Sequence, residues 1–142
     1  VGVKPEIGKF DVVDSTSANG EIFGVMNIRT DSLEGVFIIT FPKKTIMHLI
    51  EKVYGNALKD VDRGMHDAVA EFTNVIYGLI KMGLNHRGVK IHMSLPTVIT
   101  GDRLQLLSTQ KGPFLELPIQ VTPEHPFHAL FYLRELHAAQ SA

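Results

Sequence analysis

The stretch Asp62 to Met82, DRGMHDAVAEFTNVIYGLIKM, decides the fold class. Ala68, Val69, Phe72, Val75, Ile76, Leu79 and Ile80 recur at three- and four-residue spacing, the period of one helical face and not the alternation of a strand. Asp60 or Asp62 can cap such a helix, because a short carboxylate accepts from the unpaired N–H groups of the first turn. Gly83 closes it, and the turn-prone Asn85-His86-Arg87-Gly88 follows. At about 100° per residue, Asp67, Glu71, Asn74 and Gly78 fall within about 60° of one another, and the apolar band is centred about 130° away. The polar stripe therefore faces solvent or a partner, flanked by Arg63 and Lys81.

A second helix is predicted over Pro42–Leu58. Pro42 suits a first helical position, where its missing N–H costs nothing, and Ile46, Met47, Ile50, Val53 and Tyr54 recur at helical spacing. Gly55 and Asn56 are plausible stop signals. The remainder reads as strands: Glu21–Arg29 and Leu33–Phe41 around the short connection Thr30-Asp31-Ser32, then Val89–Met93, Leu104–Ser108, Pro113–Val121 and Phe127–Arg134, with a further strand within Lys4–Val13. Pro118 inside one of these runs implies an edge strand or a bulge, because proline cannot donate to a ladder.

These elements predict a single α+β domain over residues 1–142, a sheet packed against two long helices. The chain also carries a faint internal repeat. Shifting it so that Gly20 falls on Gly112 places Ile22 on Phe114, Ile28 on Gln120, Thr30 on Thr122, Ile38 on Leu130, Ile39 on Phe131 and Phe41 on Leu133. We read two copies of one helix-plus-antiparallel-strands unit. The helix of the first copy would then precede Val1, and we expect it to be missing from this chain.

Composition narrows the function. Hydrophobic residues make up 44% and charged residues 20%, which permits a packed core and argues against disorder. A formal net charge of −1 argues against a phosphate-backbone binder, which needs a basic face. Without cysteine, disulfide scaffolds, thiolate metal sites and thiol catalysis are excluded. No apolar run approaches the roughly 20 residues that span a bilayer, and no leader pattern is visible, so a cytoplasmic protein without membrane association is expected.

Candidate chemistry is confined to the polar stripe. A carboxylate only accepts hydrogen bonds; it can pair with a lysine or hold a metal-bound water. A carboxamide donates and accepts at once, and so orients a water without titrating. That suits phosphoryl transfer, where the catalyst mainly positions the attacking water and stabilises charge. Gly78, one turn past Asn74, costs roughly 1 kcal/mol relative to alanine in a helix, which is explained either by internal packing or by close approach of a partner backbone. Seven histidines invite a metal reading, but none forms a His-x-x-x-His pair or a zinc spacing, and no glycine-rich run precedes a helix with Lys-Ser/Thr. Residues 15–20 read as a polar loop and Leu136–Ala142 as a frayed end.

The pattern Asp67-x-x-x-Glu71-x-x-Asn74, followed by Pro96 and set on a long helix between strands, resembles the CheC/CheX/FliY family of chemotaxis phosphatases. Gly-Val-Lys-Ile as the next strand and Leu-Pro-Thr-Val-Ile-Thr-Gly after it fit as well. The resemblance implies an enzyme that hydrolyses the phosphoaspartate of a CheY-type response regulator, whose own site binds the Mg²⁺, so that no cofactor or metal is needed on this chain. It implies that Asn74 orients the attacking water and that Glu71 pairs with the regulator's active-site lysine. Asp67 would support docking beside Gly78, and Pro96 would be structural. The helix Pro42–Leu58 has no Glu-x-x-Asn, since Tyr54 stands three residues after Glu51, which favours the CheX type and with it a homodimer joined through its sheets. The alternative is a non-catalytic regulator-binding or flagellar-switch module of the same fold.

Overall fold

Alternating and continuous apolar runs between Ile22 and Phe41 build the centre of a sheet in the computed structural model, which describes residues 6–9, 11–13, 17–19, 21–55, 61–92, 95–101, 103–105 and 114–135. In chain order the elements are β1 (Glu6–Ile7), β2 (Asp11–Val13), β3 (Ser17–Asn19), β4 (Ile22–Arg29), β5 (Leu33–Phe41), α1 (Lys43–Tyr54), α2 (Val61–His86), β6 (Thr97–Thr100), β7 (Arg103–Gln105), β8 (Phe114–Gln120) and β9 (Pro126–Glu135). The main sheet runs β1-β8-β9-β5-β4-β6 with β2 also on β8, and β3 pairs with β7 in a separate ribbon. The five strands β8-β9-β5-β4-β6 form its antiparallel body.

One face of that body carries Ile22, Met26, Ile28, Phe37, Ile39, Phe41, Ile119, Phe127 and Ala129, packed with Ile46 and Ile50 of α1 and with Met65, Ala68, Val69 and Tyr77 of α2. Phe37 meets Phe131 at 4.8 Å and Phe41 meets Phe127 at 4.9 Å, both tilted. The other face buries Phe23, Ile38 and Leu130. The central strand β5 is thus buried on both sides over Phe37–Phe41, which is why that run does not alternate. Each fully buried Phe or Ile contributes on the order of 1.5–3 kcal/mol.

Several boundaries differ from the sequence expectation. Pro42 is extended and precedes α1, whose first N–H, that of Lys43, donates to Glu21 Oε1 at 3.1 Å. Gly55, with φ +67°, ends the helix directly after Tyr54, because the left-handed conformation that only glycine adopts cheaply turns the chain away. The predicted extension of this helix beyond Asn56 lies outside the described residues. So do the Asp60 cap, Gly20 and Gly112 of the repeat, residues 15 and 16 of the polar loop, residues 4, 5 and 10 of the first strand, residues 106–108 and the tail 136–142.

Helix α2 runs through Gly83 and stops a turn later. Gly88 takes the left-handed conformation, its N–H reaches Asn85 O at 3.0 Å and the Val89 N–H reaches Leu84 O at 2.9 Å. The stretch 89–92 is consequently not a strand: it completes this cap, buries Ile91, and reaches β4 through the His92 N–H on Arg29 O at 2.8 Å, while Met93 lies outside the described residues. The edge beside β4 is taken instead by the short β6, which the sequence reading did not mark as a strand. Pro118 lies where β1 gives way to β2. The two registers differ there by one residue, and the Gly8 N–H donates to Pro118 O at 2.9 Å. The missing proline N–H therefore faces a bulge rather than a ladder bond. Among the described residues no helix is long and apolar enough to cross a membrane.

Candidate functional site

The stripe on α2 is positioned by the residue beside it. Thr73 is fully buried, its hydroxyl donating to Val69 O at 2.6 Å, and it sits against Gly24 of β4. A Cβ at Gly24 would come within 1.9 Å of Thr73 Oγ1, so helix and sheet meet here at a distance that only a missing methyl allows. One turn on, the Tyr77 hydroxyl donates to His92 O at 3.1 Å. Asn74 lies between these two anchors and is exposed, together with Asp67, Glu71 and Gly78, along the side of the helix that the wheel assigned to them. Among the described residues the Asn74 carboxamide makes no hydrogen bond.

Glu71 is held. The Tyr54 hydroxyl, at the end of α1, donates to Glu71 Oε2. The Tyr54 pKa is raised above its ordinary 10.0, first by this hydrogen bond, then by burial, then by the charges of Glu71 and Asp67. A raised phenol pKa means that the folded state favours the protonated form. The bond is therefore fully present at neutral pH and is lost only as pH climbs through the folded-state value above 10.0. Sequence reading had assigned Tyr54 only to the apolar spacing of its helix.

The predicted apolar band needs correction. Val75 and Leu79 are 55% and 61% exposed, and Met82 joins them at 56%. Ala68, at a similar angle earlier on the helix, is buried, so this flank is covered up to that point and open beyond it. Thr73 and Tyr77 take the inward places instead. Among the described residues Gly78 is not an internal packing site: a Cβ there would meet none of them within 4 Å. It lines a shallow depression with Lys81, Met82, Asn85 and His86.

The histidines are dispersed. His125 stacks on His48 at 4.0 Å with its Nδ1 2.6 Å from Thr122 Oγ1, His128 lies 3.8 Å from Glu116, and His92 lies 3.6 Å from Asp31. Among the described residues no group of three or more His, Asp or Glu could hold a metal ion.

With the geometry in place, comparison with known proteins is decisive. The family model of the chemotaxis phosphatase CheX matches residues 22–120, a span that includes Asp67, Glu71, Asn74, Gly78 and Pro96. The chain belongs to the CheX family. It is therefore grouped with the chemotaxis phosphatases. The CheY-P phosphatase CheX of Thermotoga maritima is 29% identical over 128 residues, 89% of this chain and 81% of that protein. The solved CheX of Desulfovibrio desulfuricans superposes with a TM-score of 0.83 at 27% identity, covering 94% of this chain and 87% of its own. A chain of the CheX–CheY–BeF3–Mg²⁺ complex from Borrelia burgdorferi has a TM-score of 0.69 at 20% identity over 95% of this chain and 86% of its own, a likeness of fold.

Proposed function

We propose that this chain accelerates hydrolysis of the phosphoaspartate of a CheY-type response regulator in chemotaxis. Asn74 enters the regulator's site and orients the attacking water, and Glu71 pairs with the regulator's active-site lysine. The observation that carries this reading is Asn74 itself: an exposed carboxamide with no hydrogen bond among the described residues, one turn from a carboxylate, on a helix seated tightly on the sheet at the preceding residue. An unengaged amide can accept a hydrogen bond from the water on its oxygen and donate from its N–H₂ to a phosphoryl oxygen. The Mg²⁺ that neutralises the phosphoryl group belongs to the regulator, in keeping with a relative solved together with CheY, BeF3 and Mg²⁺. Such a partner places the action in the cytoplasm. The test is the decay of the phosphorylated regulator with wild-type chain and with Asn74→Ala; equal decay in the two would end the catalytic reading.

Docking would use the whole exposed side of α2. Asp67 lies at its N-terminal end, and Val75, Leu79 and Met82 offer an apolar edge beside the polar stripe. Gly78 admits the partner's backbone, a role favoured because no contact among the described residues requires a glycine there. Gly78→Ala should accordingly raise stability by about 0.5–1 kcal/mol and at the same time raise KM for the phosphorylated regulator by several-fold. Thermal melts and steady-state kinetics check the two halves, and an unchanged KM would remove Gly78 from the docking surface.

We infer a homodimer joined through the sheets. The support is β6, which ends the main sheet among the described residues, pairs there with β4, and carries the exposed Ile99. We also read the hairpins β4–β5 and β8–β9 as copies of one unit. They meet across β5 and β9, where Ile38 lies opposite Leu130, two positions that the sequence shift superposes. The second turn is one residue longer, so β8 matches β4 one residue earlier, Ile28 with Ile119 instead of Gln120.

A further inference from the structure

Glu71 is exposed on α2, and an exposed glutamate samples many rotamers. Here one of its carboxylate oxygens already accepts a hydrogen bond from a different helix. We propose that Tyr54 is a positioning residue for Glu71: its hydroxyl fixes the carboxylate so that Oε1 is presented to the lysine of the incoming regulator. The inference rests on the role proposed above for Glu71.

The phenol sits on a fixed platform. Ile46 and Ile50 anchor α1 in the core, and the Thr45 hydroxyl donates to Pro126 O at 2.8 Å. Gly55 turns the chain immediately after Tyr54, so the ring occupies the end of the helix and not its middle. A carboxylate has about four lone-pair sites; Tyr54 uses one on Oε2 and leaves Oε1 open. Since Tyr54 is a neutral donor, it orients Glu71 without neutralising it, as a lysine or arginine in the same place would. The hydrogen bond to Glu71, then burial, then the charges of Glu71 and Asp67 raise the phenol pKa above 10.0, so the donated proton is in place at neutral pH. A pre-set rotamer removes part of the ordering cost that an exposed glutamate would otherwise incur on binding.

The effect should therefore appear in association and not in the chemical step. With the full chain, binding is measured to the regulator loaded with Mg²⁺ and BeF3 as a stable phosphoaspartate mimic, and turnover is measured with the phosphorylated regulator. Tyr54→Phe keeps the ring and removes the donor. It should raise both Kd and KM about three- to ten-fold and change kcat by less than about two-fold. In a Glu71→Ala background the same substitution should have no further effect. Wild-type binding by Tyr54→Phe, or a penalty that adds in full to that of Glu71→Ala, overturns the inference while leaving the role of Glu71 standing. Glu71→Ala with wild-type binding overturns both together.

Discussion

Asn74→Ala is expected to slow phosphoaspartate hydrolysis in the complex by about a hundred-fold or more, with little change in affinity for the regulator carrying Mg²⁺ and BeF3. The carboxamide is asked to hold a water in line with the scissile P–O bond, and misplacement of a reacting atom by about 1 Å costs on the order of 10²-fold. Alanine leaves the water without a guide, so kcat should fall. If affinity is set elsewhere along the helix, at Glu71 and the apolar edge as proposed, KM should move far less. Stability should be unaffected, because Asn74 is exposed and hydrogen-bonds to nothing among the described residues. Asn74→Asp is the informative companion. It keeps the shape, but it brings a negative charge toward an anionic phosphoryl group and loses the N–H₂ donor, and it should be as slow as alanine. Single-turnover decay of the labelled regulator at saturating enzyme separates the rate from binding. An aspartate variant that retained wild-type rate would show that the group acts through size and not through hydrogen bonding.

Gly24→Ala should be strongly damaging for so small a substitution at the contact between α2 and the sheet. The new methyl would lie 1.9 Å from Thr73 Oγ1 and 3.0 Å from both Thr73 Cβ and Cγ2. Rotating the threonine does not relieve this, because a β-branched side chain places another heavy atom in the same space. Either α2 lifts off β4 or the sheet yields, at a cost of about 1–3 kcal/mol, which is several degrees in Tm for a chain of this size. Activity should fall as well, since the displaced segment carries Asn74. Gly24→Ala with Thr73→Ala should recover part of the loss, because the closest atom is then gone; the two changes are in contact and should be far from additive. Thermal denaturation of the two singles and the double measures this. Equal melting temperatures for wild type and Gly24→Ala would show that the helix is free to shift over that strand.

The sequence carried the elements that have their own local signal. Alternating or continuous apolar residues from Ile22 to Phe41 and from Phe127 to Arg134 sufficed for β4, β5 and β9, and the helical period sufficed for α2. What failed was whatever depends on a neighbour. Val75 and Leu79 have the right spacing for a core face, but periodicity records only which residues are apolar and not how far along the helix that face is covered. Gly83 looked like a stop, yet a glycine at helical dihedrals merely weakens a helix that Leu84 still packs against the core; the glycine that reverses the chain is Gly88. The four residues of β6 carry too little pattern of their own and become a strand by pairing with β4. In the candidate site, spacing alone placed Asp67, Glu71, Asn74 and Gly78 on one exposed side. The Tyr54–Glu71 contact was out of reach, because it joins two helices whose crossing no spacing rule encodes.

Helix α2 is exposed along both its polar stripe and its Val75–Leu79–Met82 flank. Around Asn74 the molecule is thus a ridge and not a hollow. An ordinary hydrolase carries the lock, and its substrate is the key; on this reading the roles are exchanged. The regulator supplies the cavity, the metal and the phosphoryl group, and the enzyme supplies the piece that turns. Discrimination then depends on whether a client has a hollow that admits this ridge, so free phosphomonoesters should pass unrecognised, and a new client could be acquired by re-cutting a few residues along one helix.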